Sequence, residues 1–219
     1  MINFYFFTVG SCIASFLGLV IDRFPESSII RPRSHCDHCQ QTLRPLDLIP
    51  ILSQVLFRFR CRYCQSPLPY WYALFEVWSG LLFLLCYQGL LPISHLFVLL
   101  GSCVLAIYDL RSMEYPLPLW LVLHALCLFF TSPTLLMGVF LFLGVLSAVY
   151  SIGIGAGDFL LLATFSLTLS AVQVLLVMQG ASLIGLLVFL LKKEKDRIPF
   201  VPCLFLSYQA LLFFTIFSR

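Results

Sequence analysis

Two aspartates stand almost alone in apolar sequence. Asp158 is the one formally charged residue between Leu117 and Leu191, within Gly155-Ala156-Gly157-Asp158, and Asp109 closes the apolar run over residues 96–108. An ionised group at the centre of a membrane helix costs about 3 kcal/mol or more, so such residues are functional candidates by default. Two carboxyl groups at the ends of different apolar segments suggest a membrane-embedded acid pair, and hydrolysis of a peptide bond is chemistry such a pair can do. One ionised group would activate water while one protonated group polarises a carbonyl. Close carboxyls cannot both ionise easily, so the titration belongs to the pair and neither role is assigned to one residue. Gly155 and Gly157 lack Cβ atoms and permit tight turns and close backbone approach beside Asp158. Pro116 and Pro118 interrupt the chain after Asp109.

A second cluster carries different chemistry. Cys36-Asp37-His38-Cys39 and Cys61-Arg62-Tyr63-Cys64 are two C-x-x-C pairs with 21 residues between them. A two-residue gap lets both thiolates of a knuckle reach one tetrahedral ion, and two knuckles complete a four-sulfur zinc site. Iron is the alternative ion, and a pair of disulfides or unrelated thiols is the alternative chemistry. Disulfides are disfavoured if the segment faces a reducing cytosol. Cys12, Cys86, Cys103, Cys127 and Cys203 sit singly in apolar runs and read as small hydrophobes. His95 and His124 read as structural, and His35 and His38 as neighbours of the first knuckle rather than ligands.

The elements that must position these groups are apolar helices. A mean hydropathy of +1.00, with 61% hydrophobic and 11% charged residues, excludes a soluble-domain composition and indicates an all-α polytopic membrane protein. At about 20 apolar residues per crossing, eight spans are expected, over about 2–21, 72–91, 94–110, 117–131, 134–151, 158–173, 175–191 and 201–217. The sixth and seventh share one apolar stretch, divided near the polar Ser170 and Gln173. No basic residue precedes the first span and Arg23 follows it, which reads as a retained helix with its N-terminus outside rather than a cleaved signal peptide.

Charge placement orients the spans. Seven arginines (Arg23, Arg31, Arg33, Arg44, Arg58, Arg60 and Arg62) lie in residues 22–71, Arg111 follows Asp109, and Lys192, Lys193, Lys195 and Arg197 share one loop. Basic loops stay cytoplasmic. An eight-span topology puts all three clusters inside, both chain termini outside, and Asp109 and Asp158 at the cytoplasmic ends of their helices. The expected organisation is a first transmembrane helix (1–21), a small cytoplasmic zinc-binding domain (22–71) and a membrane-embedded domain carrying the acid pair (72–219). About 50 residues build little apolar core alone, so a metal would support the middle segment.

Each acid also has a plainer reading. Asp109 could sit at the lipid headgroups beside Arg111, and Asp158 could be a helix N-terminal acid favoured by the macrodipole. Glu114 reads as a solvated loop acid, and Glu76 as a buried polar contact or a secondary site candidate. A transporter would also place lone carboxylates in broken helices, though no inverted repeat is evident. A non-enzymatic scaffold with a zinc module would leave the acids without a role.

The ordered motifs resemble the type IV prepilin peptidases, members of the GxGD class of intramembrane aspartic proteases. The resemblance rests on Asp109-Leu110-Arg111, Tyr115-Pro116 and Gly155-Ala156-Gly157-Asp158. It rests also on Gly10-Ser11, Ser15-Phe16-Leu17, Arg23-Phe24-Pro25, Arg31-Pro32-Arg33-Ser34, the two knuckles, Asp47-Leu48-Ile49-Pro50, Tyr72 and Glu76. It covers roughly residues 10–165. The resemblance implies that Asp109 and Asp158 are the catalytic pair, acting through water with no covalent intermediate. The implied substrates are type IV prepilins or pilin-like competence and secretion subunits. Their short basic leader is cut at the cytoplasmic face of the plasma membrane. Many members also methylate the new N-terminus with S-adenosylmethionine. Glu26, Asp37 or Asp47 would be suited to meet a basic leader. No nucleic-acid partner is implied, and the oligomeric state is left open. Gly18, Leu48 and Leu160 depart from the family pattern, where Asn, Asn and Lys are common. The first two bear on methylation, and residues 22–71 contain no glycine-rich nucleotide-binding unit.

Overall fold

A computed structural model describes residues 1–150, 155–191 and 198–218. Ser151, Ile152, Gly153 and Ile154 and the basic cluster Lys192, Lys193, Lys195 and Arg197 lie outside the described residues. The regular elements of the described residues are helices, with two isolated β-bridges. They form two compact units, Met1–Leu91 and Pro92–Arg219. The chain is an all-α membrane protein. Three helices are long and apolar enough to cross a bilayer, and five shorter apolar helices fall on the remaining expected spans.

The first unit contains α1 (Ile2–Arg23), a 3₁₀ turn (Pro45–Leu48), the short α2 (Leu52–Leu56) and α3 (Trp71–Tyr87). Its framework is the α1–α3 pair, which small residues bring together. Ser79 Oγ donates to the Gly10 carbonyl at 2.8 Å, and Ser11 Oγ donates to the Glu76 carbonyl at 3.1 Å. A Cβ on Gly10 would lie 2.8 Å from the Ser79 carbonyl oxygen, and one on Gly80 would lie 2.7 Å from the Phe7 ring. The hydroxyls therefore cross-link two backbones that only glycine lets approach this closely.

The second unit contains α4 (Ile93–Ser112), α5 (Leu117–Phe130), α6 (Leu135–Tyr150), α7 (Ala156–Phe165), α8 (Ala171–Leu191) and α9 (Val201–Phe217). Helix α4 is its axis, with Leu96, Val98, Leu99 and Leu105 almost fully buried against α5 and α9. Helix α6 packs on α7, and α8 on α9.

The sixth expected span, over 158–173, is only partly helical. Helix α7 stops at Phe165 because local hydroxyls take over the end of its ladder. Ser166 Oγ donates to the Ala163 carbonyl at 2.8 Å and Thr168 Oγ1 to the Phe165 carbonyl at 3.2 Å. Helix α8 then starts with a reciprocal cap, in which Ser170 N–H donates to Gln173 Oε1 at 2.9 Å and Gln173 N–H to Ser170 Oγ at 3.4 Å. The two polar residues that divide the apolar stretch therefore do so as a helix start. At 1.5 Å per residue α7 is about 15 Å long, half of a hydrocarbon core of about 30 Å.

Gly80→Leu is expected to force the Phe7 ring and α1 outward and to lower stability by about 1–3 kcal/mol. A thermal midpoint in detergent equal to that of the wild type would contradict the close-approach reading of the α1–α3 pair.

Candidate functional site

In the second unit, Asp109 lies one turn before the end of α4. The helix terminates at Met113, whose left-handed conformation (φ 59°) lets its N–H return to the Asp109 carbonyl at 2.9 Å. The Asp109 side chain is buried (8% exposed). Its Oδ2 accepts the Val201 N–H at 3.1 Å. Val201 opens α9, so the carboxylate takes a donor that the helix itself leaves unpaired at its positive end.

Asp158 is the third residue of α7, and Gly155 is the cap residue before it. The Asp158 N–H donates to the Gly155 carbonyl at 3.1 Å. The carboxyl folds back over the cap, so that a Cβ on Gly155 would lie 3.2 Å from Asp158 Oδ2. Asp158 therefore stands at the N-terminus of a short apolar helix, where the dipole favours negative charge.

Tyr115 links the two acid-bearing elements. It lies on the connection from α4 to α5, and its hydroxyl donates to the Gly157 carbonyl at 2.6 Å. A Cβ on Gly157 would sit 2.8–3.0 Å from the Tyr115 ring and hydroxyl, so glycine is required there by the tyrosine. Burial first, then the charges of Asp158 and Asp109, push the Tyr115 phenol well above its usual range. It therefore stays a neutral donor at working pH. Both carboxylates are thus within electrostatic reach of one side chain.

Two further aromatic side chains fix α7. Trp120 Nε1 donates to the Leu160 carbonyl at 2.9 Å and to Thr164 Oγ1 at 3.1 Å, and His124 Nδ1 shares a 3.0 Å hydrogen bond with the same hydroxyl. Pro116 caps α5 and sets the start of this row. His95 shares a 2.6 Å hydrogen bond with the buried Tyr208 hydroxyl. The sequence offers Tyr115 only as part of Tyr115-Pro116, and Trp120 not at all. Their importance comes from which carbonyls they reach.

The metal candidate is in the first unit. The Sγ atoms of Cys36, Cys39, Cys61 and Cys64 all lie within 4.8 Å of one another, and those of Cys36 and Cys64 are 3.8 Å apart. A tetrahedral ion with metal–sulfur bonds of about 2.3 Å implies sulfur–sulfur separations of about 3.8 Å, so the four thiols fit such an ion. Both knuckles are built alike. Cys36 N–H donates to the Gln41 carbonyl at 3.1 Å and Cys61 N–H to Ser66 at 2.8 Å. The Gln40 and Gln65 amides return to Cys36 and Cys61 at 2.8 and 2.9 Å. Each glutamine follows the second cysteine and adopts positive φ (57° and 59°).

The thiols are unequal. Burial raises Cys36, but the Cys39 and His38 amides and the Ser66 hydroxyl outweigh it and bring the thiol down to about 6. The Gln41 amide lowers Cys39, whereas burial and crowding by Cys64, Cys36 and Cys61 push it up to about 11. A cation held among the four sulfurs would favour the ionised form of each.

The remaining acids are placed differently. Glu76 is buried (3% exposed), and its Oε2 accepts the Ile51 N–H at 2.7 Å and Gln54 Nε2 at 2.8 Å. Asp47 Oδ2 accepts the Arg44 N–H at 3.0 Å and the Tyr63 hydroxyl at 3.3 Å, and Oδ1 faces Arg62 at 3.6 Å. Glu26, Asp37 and Glu114 are exposed. His35 Nδ1 meets the Arg33 carbonyl at 2.9 Å.

Cys36→Ser or Cys61→Ser is expected to abolish the bound metal, read by atomic emission as one ion per wild-type chain falling toward none. Undiminished metal content in either variant would exclude the four-thiolate site.

Residues 8–90 match the bacterial peptidase A24 N-terminal domain family. A prepilin leader peptidase/N-methyltransferase from Myxococcus xanthus (strain DK1622) is 45% identical over 83 residues, covering 37% of this chain and 25% of that protein. One from Aeromonas hydrophila is 32% identical over 209 residues, covering 82% of this chain and 71% of that protein. One from Bacillus subtilis (strain 168) is 29% identical over 202 residues, covering 83% and 79%. The chain thus spans about a quarter of the Myxococcus relative and more than two thirds of the other two. No solved structure matches it. With similarity to the Aeromonas protein running through most of both sequences, the chain belongs to the prepilin leader peptidase/N-methyltransferase family.

Proposed function

We propose that this chain is an aspartic endopeptidase that removes the basic leader from type IV prepilins or pilin-like precursors at the cytoplasmic membrane face, with Asp109 and Asp158 as its catalytic pair. The observation that carries this reading is that Tyr115, on the connection that follows the Asp109 helix, donates to the carbonyl of Gly157 beside Asp158, with Asp109 held by the start of α9 and Asp158 at the start of α7. The names of the relatives support the substrate class.

The chemistry follows from two acids sharing one proton. The ionised carboxylate takes a proton from water as the oxygen attacks the scissile carbonyl, while the protonated partner gives its proton to the carbonyl oxygen. The tetrahedral diol then collapses: one of its hydroxyls returns a proton to the second acid as the C=O bond re-forms, the C–N bond breaks, and the nitrogen leaves with the proton held by the first acid. A substrate whose apolar helix stays in the bilayer would present its leader junction at this level. The four-cysteine site has no open ligand position and reads as a structural zinc site rather than a catalytic one.

Methyl transfer from S-adenosylmethionine is the second activity proposed. A cleft of about 900 Å³ in the first unit is lined by residues including Asp22, Asp47, Gln54, Tyr72 and Glu76. Gln54 Oε1 is buried there without a hydrogen-bond donor, and Asp47 Oδ1 is buried with the Arg62 guanidinium 3.6 Å away. S-adenosylmethionine brings amino groups and a sulfonium cation, which suit such oxygens, and would supply an electrophilic methyl group. Gln54 and Asp47 would hold it.

Asp109→Asn and Asp158→Asn should each slow leader removal from a pilin-like precursor in proteoliposomes by about 100-fold or more, with the protein still folded. Processing by either variant at near the wild-type rate would refute the pair. Tyr115→Phe should cut turnover by about tenfold, as expected for slight misplacement of a reacting group. Gln54→Leu should weaken S-adenosylmethionine binding, measured by calorimetry, by about tenfold for one lost hydrogen bond. Unchanged affinity would remove the cleft from the proposal.

A further inference from the structure

The five-residue helix α2 is inside out. Leu52, Val55 and Leu56 lie at i, i+3 and i+4, which places them on one helical face, and they are 51%, 56% and 65% exposed. The inner side carries Ser53, which is 6% exposed and donates to the Ile49 carbonyl at 2.8 Å. Beside it, Gln54 donates to Glu76 at 2.8 Å. Polar groups face the protein and aliphatic groups face away. In water that arrangement wastes the apolar face. At a lipid surface it is the stable one.

The attachment point sets the level of α2. Glu76 holds both the Ile51 amide and the Gln54 side chain, and it is the sixth residue of α3. Five residues at 1.5 Å each put it about 7 Å along the axis from the water-side end of that helix. A segment gripped there lies at the depth of the headgroup–acyl boundary, where interfacial helices bury their apolar face by about 5–10 Å.

Charge points the same way. Residues 48–75 contain no acid, and Arg58 and Arg60 follow α2 directly. Both are exposed, and neither pairs with a carboxylate among the described residues. Arginine guanidinium groups match phosphate oxygens with two parallel hydrogen bonds. Leu46, Leu48 and Ile49, just before α2, extend the apolar surface at 66%, 44% and 37% exposed.

We propose that α2 is a membrane-surface element, with Leu52, Val55 and Leu56 in the acyl boundary and Arg58 and Arg60 on the phosphates of anionic lipids. The proposal is independent of the proteolytic reading. It requires only that α1 and α3 are membrane helices.

The test places a reporter on the face. Val55→Trp, reconstituted in phosphatidylglycerol–phosphatidylcholine vesicles with brominated acyl chains, is compared with the parent to subtract Trp71, Trp78 and Trp120. Ile30→Trp, at a position 84% exposed, serves as the water-facing control. The added tryptophan at 55 should be quenched by brominated lipid and several-fold less by acrylamide than the one at 30. Arg58→Ala with Arg60→Ala should reduce the lipid quenching in anionic vesicles. Acrylamide quenching at 55 as strong as at 30, without brominated-lipid quenching, would overturn the proposal. So would protection that appears only when a pilin-like precursor is added, since that outcome makes the face a protein dock. Leu56→Trp reports on the same face if Val55→Trp does not fold.

Discussion

A carboxylate withdrawn from water is stabilised where a donor meets it, and three acids here meet a backbone amide. Asp109 takes the Val201 amide at the start of α9. Glu76 takes the Ile51 amide at the start of α2. Asp47 takes the Arg44 amide at the start of its 3₁₀ turn. Helix starts leave such amides unpaired, so each acid both satisfies a helix end and ties it to another element. In this chain the anions are also the fasteners. Removing one leaves an orphan amide as well as a missing charge.

The same economy governs α7. Its carbonyls and its one threonine near the site are gripped by Tyr115, Trp120 and His124. These side chains come from one continuous stretch of chain, whereas the helix they hold is only ten residues long. A short helix has few intrahelical bonds to define its position, and side-chain donors from a neighbour supply what length does not.

Much of this architecture is legible in the order of the amino acids. The apolar runs become helices at nearly their expected positions, because twenty apolar residues have few other uses. The C-x-x-C spacing forecasts the cluster of four sulfurs, because the gap itself encodes the knuckle. Hydropathy cannot show that α7 ends at Phe165, since hydroxyl caps rather than polarity stop it. Nor can it single out Tyr115, whose value depends on a glycine 42 residues away. The compact unit ending at Leu91 follows close packing of α1 on α3, whereas a boundary near residue 71 follows polarity, and the two criteria divide the chain differently. Helix α2 escapes hydropathy altogether because five residues carry no periodic signal.

The knuckles have a consequence in chain-entropy terms. Cys36 and Cys64 sit 3.8 Å apart and close a loop 28 residues long, and α2 lies within it. Closing such a loop costs a free chain about (3/2)RT ln n, roughly 3 kcal/mol. An ion shared by the four sulfurs would carry that cost in advance. The gripping of α2 by Glu76 would then be a local event on an already closed ring, needing two hydrogen bonds rather than the ordering of a whole domain.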